Sequence, residues 1–310
     1  MAMSTEENPL LERVRGLRTH RQGNRRTPHK PLLMLFAIAK LRRGERSNPF
    51  EEVQKALVPL LLRYAPPTNG RPRAELPYWH LTSDGLWTVD DADALERRAG
   101  GFPTMKALRQ SAGGFPMDIA DELSGDDRLA SAVVRLLLDE HFAPSTHADI
   151  AKAVGLEIDA EMTSPEGPPY GRESRRRDPG FRERILRAYE HRCAFGGFRA
   201  ALTGSFFGCE AAHVRWHSYG GGEDLSNGIA LEPTVHRLFD VGVWSLTDDL
   251  RIIVSSHFTG TDEAVERVRG RHGKRLRLPL PGDATPNPEN IRWHREPSLG
   301  GVFRSPALPL

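Results

Sequence analysis

The stretch Thr163 to Arg177 is made largely of Pro, Gly, Glu and Arg, a composition that belongs to a linker and not to a packed core. It cuts the 310-residue chain into two parts that must each close a core of its own, and the length suffices for two ordinary domains. The expected division is a first domain over 1–160, a linker over 161–178 and a second domain over 179–310. Ahead of the linker, apolar residues recur at helical spacing; beyond it, glycine-rich turns separate short apolar runs. The expected fold class is α+β: a mainly helical first domain with one small β-hairpin, then a second domain of short strands and helices.

In the first domain, residues 7–22 carry Leu10, Leu11, Val14 and Leu17 on one stripe with arginines opposite, which predicts a helix. A second helix starts at His29-Lys30-Pro31, where proline suits a first turn, and its apolar body through Leu41 predicts burial. A third spans Glu51 to Arg63, kinked at Pro59 and closed by Pro66-Pro67. Tyr78 to Leu81 and Leu86 to Val89 flank Asp84-Gly85, a pattern that predicts the small hairpin. Helices are also expected over Thr104–Gln110, Asp126–His141 and Ala148–Val154. In the second domain, Phe181–His191 reads as an amphipathic helix, and strands are expected at Val243–Leu246 and Arg251–Val254. The tail after Pro279 carries six further prolines and is expected to be extended.

The net charge is only +2, yet residues 1–46 hold eleven Lys/Arg against four Asp/Glu, so the charge is segregated toward the N-terminus. Further basic clusters stand at Arg172 with Arg175 to Arg177 and from Arg267 to Arg277. A solvated basic face is the ordinary reading of any one cluster. Three of them flanking candidate binding elements favour contact with phosphates. No apolar run approaches the roughly 20 residues that cross a bilayer, which excludes a membrane-embedded class. Two cysteines, Cys193 and Cys209, are too few for a disulfide framework or a four-thiolate zinc site, so a reducing cytoplasmic setting is expected.

Four short motifs follow one another in the second domain: Cys193 to Gly197, Ala211-Ala212-His213, Asn227-Gly228 and His236-Arg237-Leu238-Phe239-Asp240. Hydrolysis of a phosphodiester needs a base that deprotonates water and a divalent cation that neutralises charge on the scissile phosphate. Two imidazoles in different environments can divide those tasks. His236 and Asp240 are four residues apart and so face the same way on a helix, where an imidazole and a carboxylate together suit Mg²⁺ or Mn²⁺. The pattern resembles the HNH endonucleases, whose ββα-metal fold is a β-hairpin and a helix that pinch one divalent cation. The resemblance implies that His213 is the general base, that Asn227 holds the hairpin loop, and that His236 is a metal ligand with Asp240 as candidate second ligand.

Ala212 departs from the pattern, because many relatives carry a ligand immediately before the base. Glu210 ranks behind Asp240 as a replacement, since strand alternation points it away from His213. Cys193 is expected to be a small packing residue, and His191 and His217 fit no motif position.

In the first domain, Pro28 to Leu33, Leu76 to Leu81, Ser83 to Trp87 and Gly113-Gly114-Phe115 resemble the sulfur-binding domains of restriction endonucleases that recognise phosphorothioate-modified DNA. Sulfur in place of a phosphate oxygen is large, soft and weakly hydrated, so an apolar cup beside cations can select it. The resemblance implies a cup of Pro77 with Leu76, His80 and Tyr78, adjoined by donors from His29 and Lys30. Arg71, Arg73 and Arg109 are candidates for contacts to base edges or phosphates, because arginine can chelate guanine in the major groove.

Together the two resemblances imply a modification-dependent DNA endonuclease that grips phosphorothioated double-stranded DNA and cuts it nearby with a divalent metal, as a homodimer able to cut both strands. Two alternatives stay open at this point: an HNH nuclease reading methylated bases or plain sequence, and a DNA-binding regulator with a degenerate nuclease domain, which Ala212 keeps in play.

Overall fold

The structure, a computed structural model, describes residues 8–18, 21–22, 25–65, 70–156 and 178–309. Pro66-Pro67, almost all of the expected linker, and the cluster at Arg172 with Arg175 to Arg177 lie outside the described residues. Up to residue 156 the order is α1 (Pro9–Arg15), β1 (Arg21–Gln22), β2 (Arg25–Arg26), α2 (His29–Arg42), β3 (Asn48–Pro49), α3 (Phe50–Tyr64), α4 (Glu75–His80), β4 (Thr88–Val89), α5 (Met105–Arg109), β5 (Ala112–Gly114), α6 (Met117–Gly125), α7 (Asp127–His141) and α8 (His147–Val154). Two compact units result, with the pair β1–β2 grouped in the second. No described helix is long and apolar enough to cross a membrane.

The first unit is built around α2. Every residue from Pro31 to Leu41 is buried, as an all-round apolar helix requires; α3, α4, α6, α7 and α8 pack against it, and α1 packs on α7. Each large apolar side chain there stabilises the unit by roughly 1.5–3 kcal/mol. Lys40 is buried in the same helix and its Nζ is held by Glu52 at 2.6 Å and Glu45 at 3.1 Å. Sharp caps set the other boundaries: Asp126 accepts the backbone N–H groups of Arg128 and Leu129 at the start of α7, and Thr104 accepts that of Ala107 at the start of α5. The helix expected over 7–22 stops at Arg15, where Gly16 caps it.

The hairpin expected around Asp84-Gly85 does not form. Residues 75–80 are the helix α4, continued by a 3-10 turn at Leu81–Asp84, and Gly85 at φ +68° ends it. Ala74, Pro77, Tyr78 and Leu81 are the buried positions of this segment, a helical spacing that decides against a strand. The small sheet is assembled instead from distant pieces in the order β3-β5-β4, with Gly113 opposite both Asn48 and Val89. The motif Gly113-Gly114 is required by this close approach, because a Cβ on Gly113 would lie 2.7 Å from the Thr88 carbonyl and one on Gly114 2.5 Å from that of Arg46.

The second unit runs α9 (Pro179–Ala188), β6 (Ala200–Leu202), β7 (Ser205–Phe207), β8 (Glu210–His213), β9 (Gly228–Leu231), α10 (Pro233–Asp240), β10 (Trp244–Leu246), β11 (Ile252–Val254), α11 (Asp262–Arg269) and α12 (Pro288–Arg295). The strands expected near 243 and 251 pair as β10–β11. The tail expected to be extended contains α12, because Pro288 occupies the first turn behind the Asn287 cap, where a proline starts a helix and does not break one. Cys193 is fully buried, as expected of a packing residue.

Candidate functional site

Strands β8 and β9 pair antiparallel with Glu210 opposite Leu231 and His213 opposite Gly228. Alternation sends Ala211 and His213 to one face and Glu210 and Ala212 to the other. On the first face lies α9. Its Ile185 and Phe181 approach so closely that a Cβ on Gly228 would sit 2.1 Å from the Ile185 Cδ1, which accounts for the glycine of Asn227-Gly228. That glycine is therefore a packing notch at the entry of β9 and not a turn residue. Phe181 stacks on the His213 imidazole with centroids 4.2 Å apart and planes 13° from parallel. His213 Nε2 donates to Glu223 Oε2 at 3.1 Å, which leaves the lone pair on Nδ1. The other oxygen of Glu223, Oε1, is buried and has no hydrogen-bond partner among the described residues.

Glu223 belongs to the connection between β8 and β9, and Asn227 folds that connection. Its Oδ1 accepts the Arg215 N–H at 2.9 Å, and its Nδ2 donates to the carbonyls of Arg215 at 3.0 Å and Gly222 at 2.8 Å. The chain is drawn in so tightly that a Cβ on Gly221 would meet the Arg215 carbonyl oxygen at 1.9 Å. Asn227 is thus a staple whose product is the position of Glu223 beside the imidazole.

The opposite face of the hairpin meets α10. His236 Nδ1 donates to Glu210 Oε2 at 2.8 Å, and its Nε2 pairs with Asp240 Oδ2 at 3.2 Å. Burial alone would push the imidazole pKa down, but the charges of Asp240 and Glu210 outweigh it and hold the group up at about 9. The same hydrogen bond from His236 holds Glu210 below the usual carboxylate range. The second oxygen of Asp240, Oδ1, accepts from Trp216 Nε1 at 3.3 Å. Nε2 and Oδ2 lie at the spacing of two neighbouring donors each about 2.1 Å from one ion, so a divalent cation could replace the proton on Nε2. Glu210 would then orient the ring through Nδ1, as outer carboxylates do for metal-bound histidines. Among the described residues no three His, Cys, Asp or Glu side chains converge on one point. A two-donor site of this kind suits Mg²⁺ or Mn²⁺, which keep several waters and take substrate phosphate oxygens.

In the first unit, α2 and the turn after α4 meet at an ion pair: Lys30 Nζ lies 2.5 Å from Asp84 Oδ2, with both side chains nearly buried. Asp84 also accepts the Arg18 N–H at 3.2 Å. Lys30, expected as a donor to the ligand, is thus engaged by Asp84 in the fold. Tyr78, expected in the cup, is held within the core. It is fully buried, stands edge-on to Phe50 and Trp87, donates to the Asn48 carbonyl at 3.3 Å, and burial pushes its phenol up to about 12. Pro77 is also buried, so of the four cup residues only half-buried Leu76 and exposed His80 reach solvent. The ring of His80 lies 5.6 Å from that of Phe102. His29 is half-buried at the start of α2, and Arg71 and Arg73 are exposed just ahead of α4, with Arg73 held by Glu75 at 2.8 Å. Arg109 is exposed on α5, and no described ion pair ties it to the α4 residues.

Residues 7–159 match the family model of the ScoMcrA-like DNA sulfur-binding domain, and residues 193–247 match that of the HNH endonuclease. The chain joins a DNA sulfur-binding domain to an HNH endonuclease domain. Solved structures similar to it include the sulfur-binding domain of ScoMcrA in complex with phosphorothioated DNA, at 24% identity over 51% of this chain and 99% of that one, with a TM-score of 0.44. The type IV phosphorothioation-dependent restriction endonuclease ScoMcrA is 24% identical over 54% of this chain but only 30% of its own length, with a TM-score of 0.44. The sulfur-binding domain of SprMcrA complexed with phosphorothioated DNA is 26% identical over 49% of this chain and 98% of that one, with a TM-score of 0.39. No curated protein matches the chain.

The second unit buries a histidine that sequence patterns did not single out. His294 on α12 is completely buried, stacks on Phe239 with centroids 3.7 Å apart, and binds the Phe239 carbonyl through Nε2 at 3.1 Å and Ser245 Oγ through Nδ1 at 2.8 Å. A carbonyl can only accept, so Nε2 carries the proton and Nδ1 accepts from Ser245. The ring is held neutral, with burial pushing its pKa down to about 4. Its site lies one residue before Asp240, so α12 braces the end of α10. Between pH 6.5 and 4 the unfolded chain binds a proton at this position that the folded domain refuses. Stability present above 6.5 is therefore lost as the pH falls, by about 3 kcal/mol at pH 4. Denaturant midpoints of the wild type and His294→Phe, measured from pH 7 to 4, check this: the wild type should lose stability more steeply, and parallel curves would refute it.

Proposed function

We propose that the chain is a modification-dependent DNA endonuclease: the sulfur-binding domain, within 1–160, grips phosphorothioated double-stranded DNA, and the HNH domain, within 179–310, hydrolyses a phosphodiester nearby. The observation that carries the reading is His213, set on the hairpin of a matched HNH domain with Nε2 engaged by Glu223 and Nδ1 left to accept a proton. His236 and Asp240 would hold a divalent metal, Mg²⁺ or Mn²⁺, which supplies charge neutralisation at the scissile phosphate. Asn227 fixes the loop that carries Glu223. In the sulfur-binding domain, Leu76 and His80 offer the surface of the cup, Pro77 and Tyr78 shape it from beneath, and His29, Arg71, Arg73 and Arg109 supply flanking donors. Cutting both strands with one nuclease domain per chain calls for a homodimer or two successive nicks, and the setting is cytoplasmic.

The test compares matched duplexes with and without a phosphorothioate, in the presence and absence of Mn²⁺ or Mg²⁺. Tight binding of the modified duplex and metal-dependent cleavage of it are expected. Leu76→Asp, which sets a like charge against the phosphate, should lower the preference for sulfur at least tenfold. Equal affinity of the wild type for both duplexes would sink the sulfur reading in favour of a sequence or methyl reader.

A further inference from the structure

The hairpin β6–β7 does not take part in the core of the HNH domain. Residues 201–207 are all exposed, and the tip is a tight two-residue turn at Thr203-Gly204, both with positive φ. Yet its side chains are apolar. Phe198, Leu202, Phe206 and Phe207 are four of the eight exposed large hydrophobic side chains among the described residues, with Leu202 70% and Phe207 55% accessible. Pairing of Ala200 with Phe207 and of Leu202 with Ser205 puts Leu202 and Phe207 on one face of the ribbon. Exposed apolar side chains concentrated on one projecting element mark an interaction site.

What surrounds the tip selects the occupant. From His191 to Cys209 the sequence contains no Asp or Glu. Arg199 lies over the Phe206 ring at 4.4 Å, and His191 stacks on the same ring with centroids 4.7 Å apart. At the base of the ribbon, exposed Arg182 reaches the Cys209 carbonyl at 3.5 Å, and exposed Arg277 comes so near Gly197 that a Cβ there would lie 2.8 Å from its Nε. An apolar tip with an arginine collar matches a polyanion whose interior is apolar and flat, which is a description of stacked bases between phosphate rails. The ribbon also passes through Gly208-Cys209 directly into β8, the strand that ends in His213. Whatever the tip touches is thus tied to the position of the base.

We infer that the β6–β7 hairpin is a wedge with which the HNH domain enters a groove of double-stranded DNA, setting Leu202 and Phe207 against the bases and Arg182, Arg199 and Arg277 against the flanking phosphates. The inference rests on the nuclease reading of the same domain. A two-stranded ribbon is of a size that a DNA groove admits, and apolar side chains driven between base steps unstack and bend the duplex. The wedge would hold the duplex open beside the bond that His213 addresses.

The experiment uses the full chain and phosphorothioated duplexes carrying 2-aminopurine at successive positions on either side of the modification. Fluorescence is read in EDTA, where no cleavage occurs, and cleavage is read separately with Mn²⁺. The wild type should raise the fluorescence at one or two positions by unstacking. Leu202→Ser combined with Phe207→Ser should abolish that rise and lower cleavage tenfold or more, with the thermal unfolding profile retained and affinity for the modified duplex within twofold. Unstacking without any cleavage would refute the nuclease reading and leave the wedge standing. Cleavage without unstacking, or a double variant that unstacks as well as the wild type, would overturn the wedge. So would a wild-type dimer that becomes monomeric in the double variant by light scattering, since the patch would then be a contact between copies.

Discussion

His213→Ala is expected to reduce metal-dependent cleavage by roughly 10²- to 10⁴-fold, the range that a positioned general base contributes, while binding of the modified duplex stays within twofold. The argument is geometric. His213 has Phe181 against one face of its ring and Glu223 on Nε2, so the imidazole has one orientation and one tautomer, with Nδ1 as the free acceptor. A base that need not reorient before taking its proton loses nothing to disorder. Glu223→Gln keeps an acceptor for Nε2–H but removes the carboxylate that faces the imidazole as it takes the proton, so cleavage should fall, but by less than in His213→Ala. Single-turnover cleavage of a modified duplex, with binding measured in EDTA, checks both. Near-wild-type cleavage by His213→Ala would remove the base from this position, whereas a wild type that never cleaves with Mn²⁺ or Mg²⁺ would return the chain to the regulator alternative.

Glu223 could not be read from the sequence, whereas His213, Asn227 and His236 could. The three motif residues sit at fixed places on a hairpin and helix that local pattern encodes: alternation in β8, an amphipathic α10 with proline in its first turn, a glycine where a neighbouring helix packs close. Glu223 reaches His213 only through the path of the irregular connection that Asn227 and Gly221 fold, and no period predicts such a path. Glu210 is the instructive intermediate. Alternation pointed it away from His213, as observed, but away from His213 is the side on which α10 lies, and there it meets His236 at 2.8 Å. In the sulfur-binding domain, α2 was legible from a buried apolar run with proline in its first turn. The segment 75–85 was not, because Tyr-Trp-His-Leu before Asp-Gly matches a strand in composition, and only the burial of Ala74, Pro77, Tyr78 and Leu81 reveals the helical period. The ion pair of Lys30 was also out of reach of local pattern, since its partner, Asp84, is 54 residues away in the chain.

Asn227→Ala is expected to destabilise the HNH domain by about 3 kcal/mol and to lower its melting temperature by on the order of 10 °C. The amide makes three hydrogen bonds, one accepted and two donated, and a methyl group replaces none of them. Asn227 is 1% exposed, so the abandoned Arg215 N–H and the carbonyls of Arg215 and Gly222 are left to find water in a loop that is closed by Gly221 against Arg215. Asn227→Asp should be no better, because its carboxylate would face two carbonyl oxygens where the amide donated. The loss is also functional. Glu223 follows Gly222 directly, so releasing the Gly222 carbonyl frees the carboxylate from His213, and cleavage in the surviving folded fraction should drop toward that of Glu223→Ala. Melting curves together with cleavage measured well below the variant's melting temperature separate the two effects. A variant that melts earlier yet cuts at the wild-type rate would make Asn227 a purely structural staple with no hold on the base.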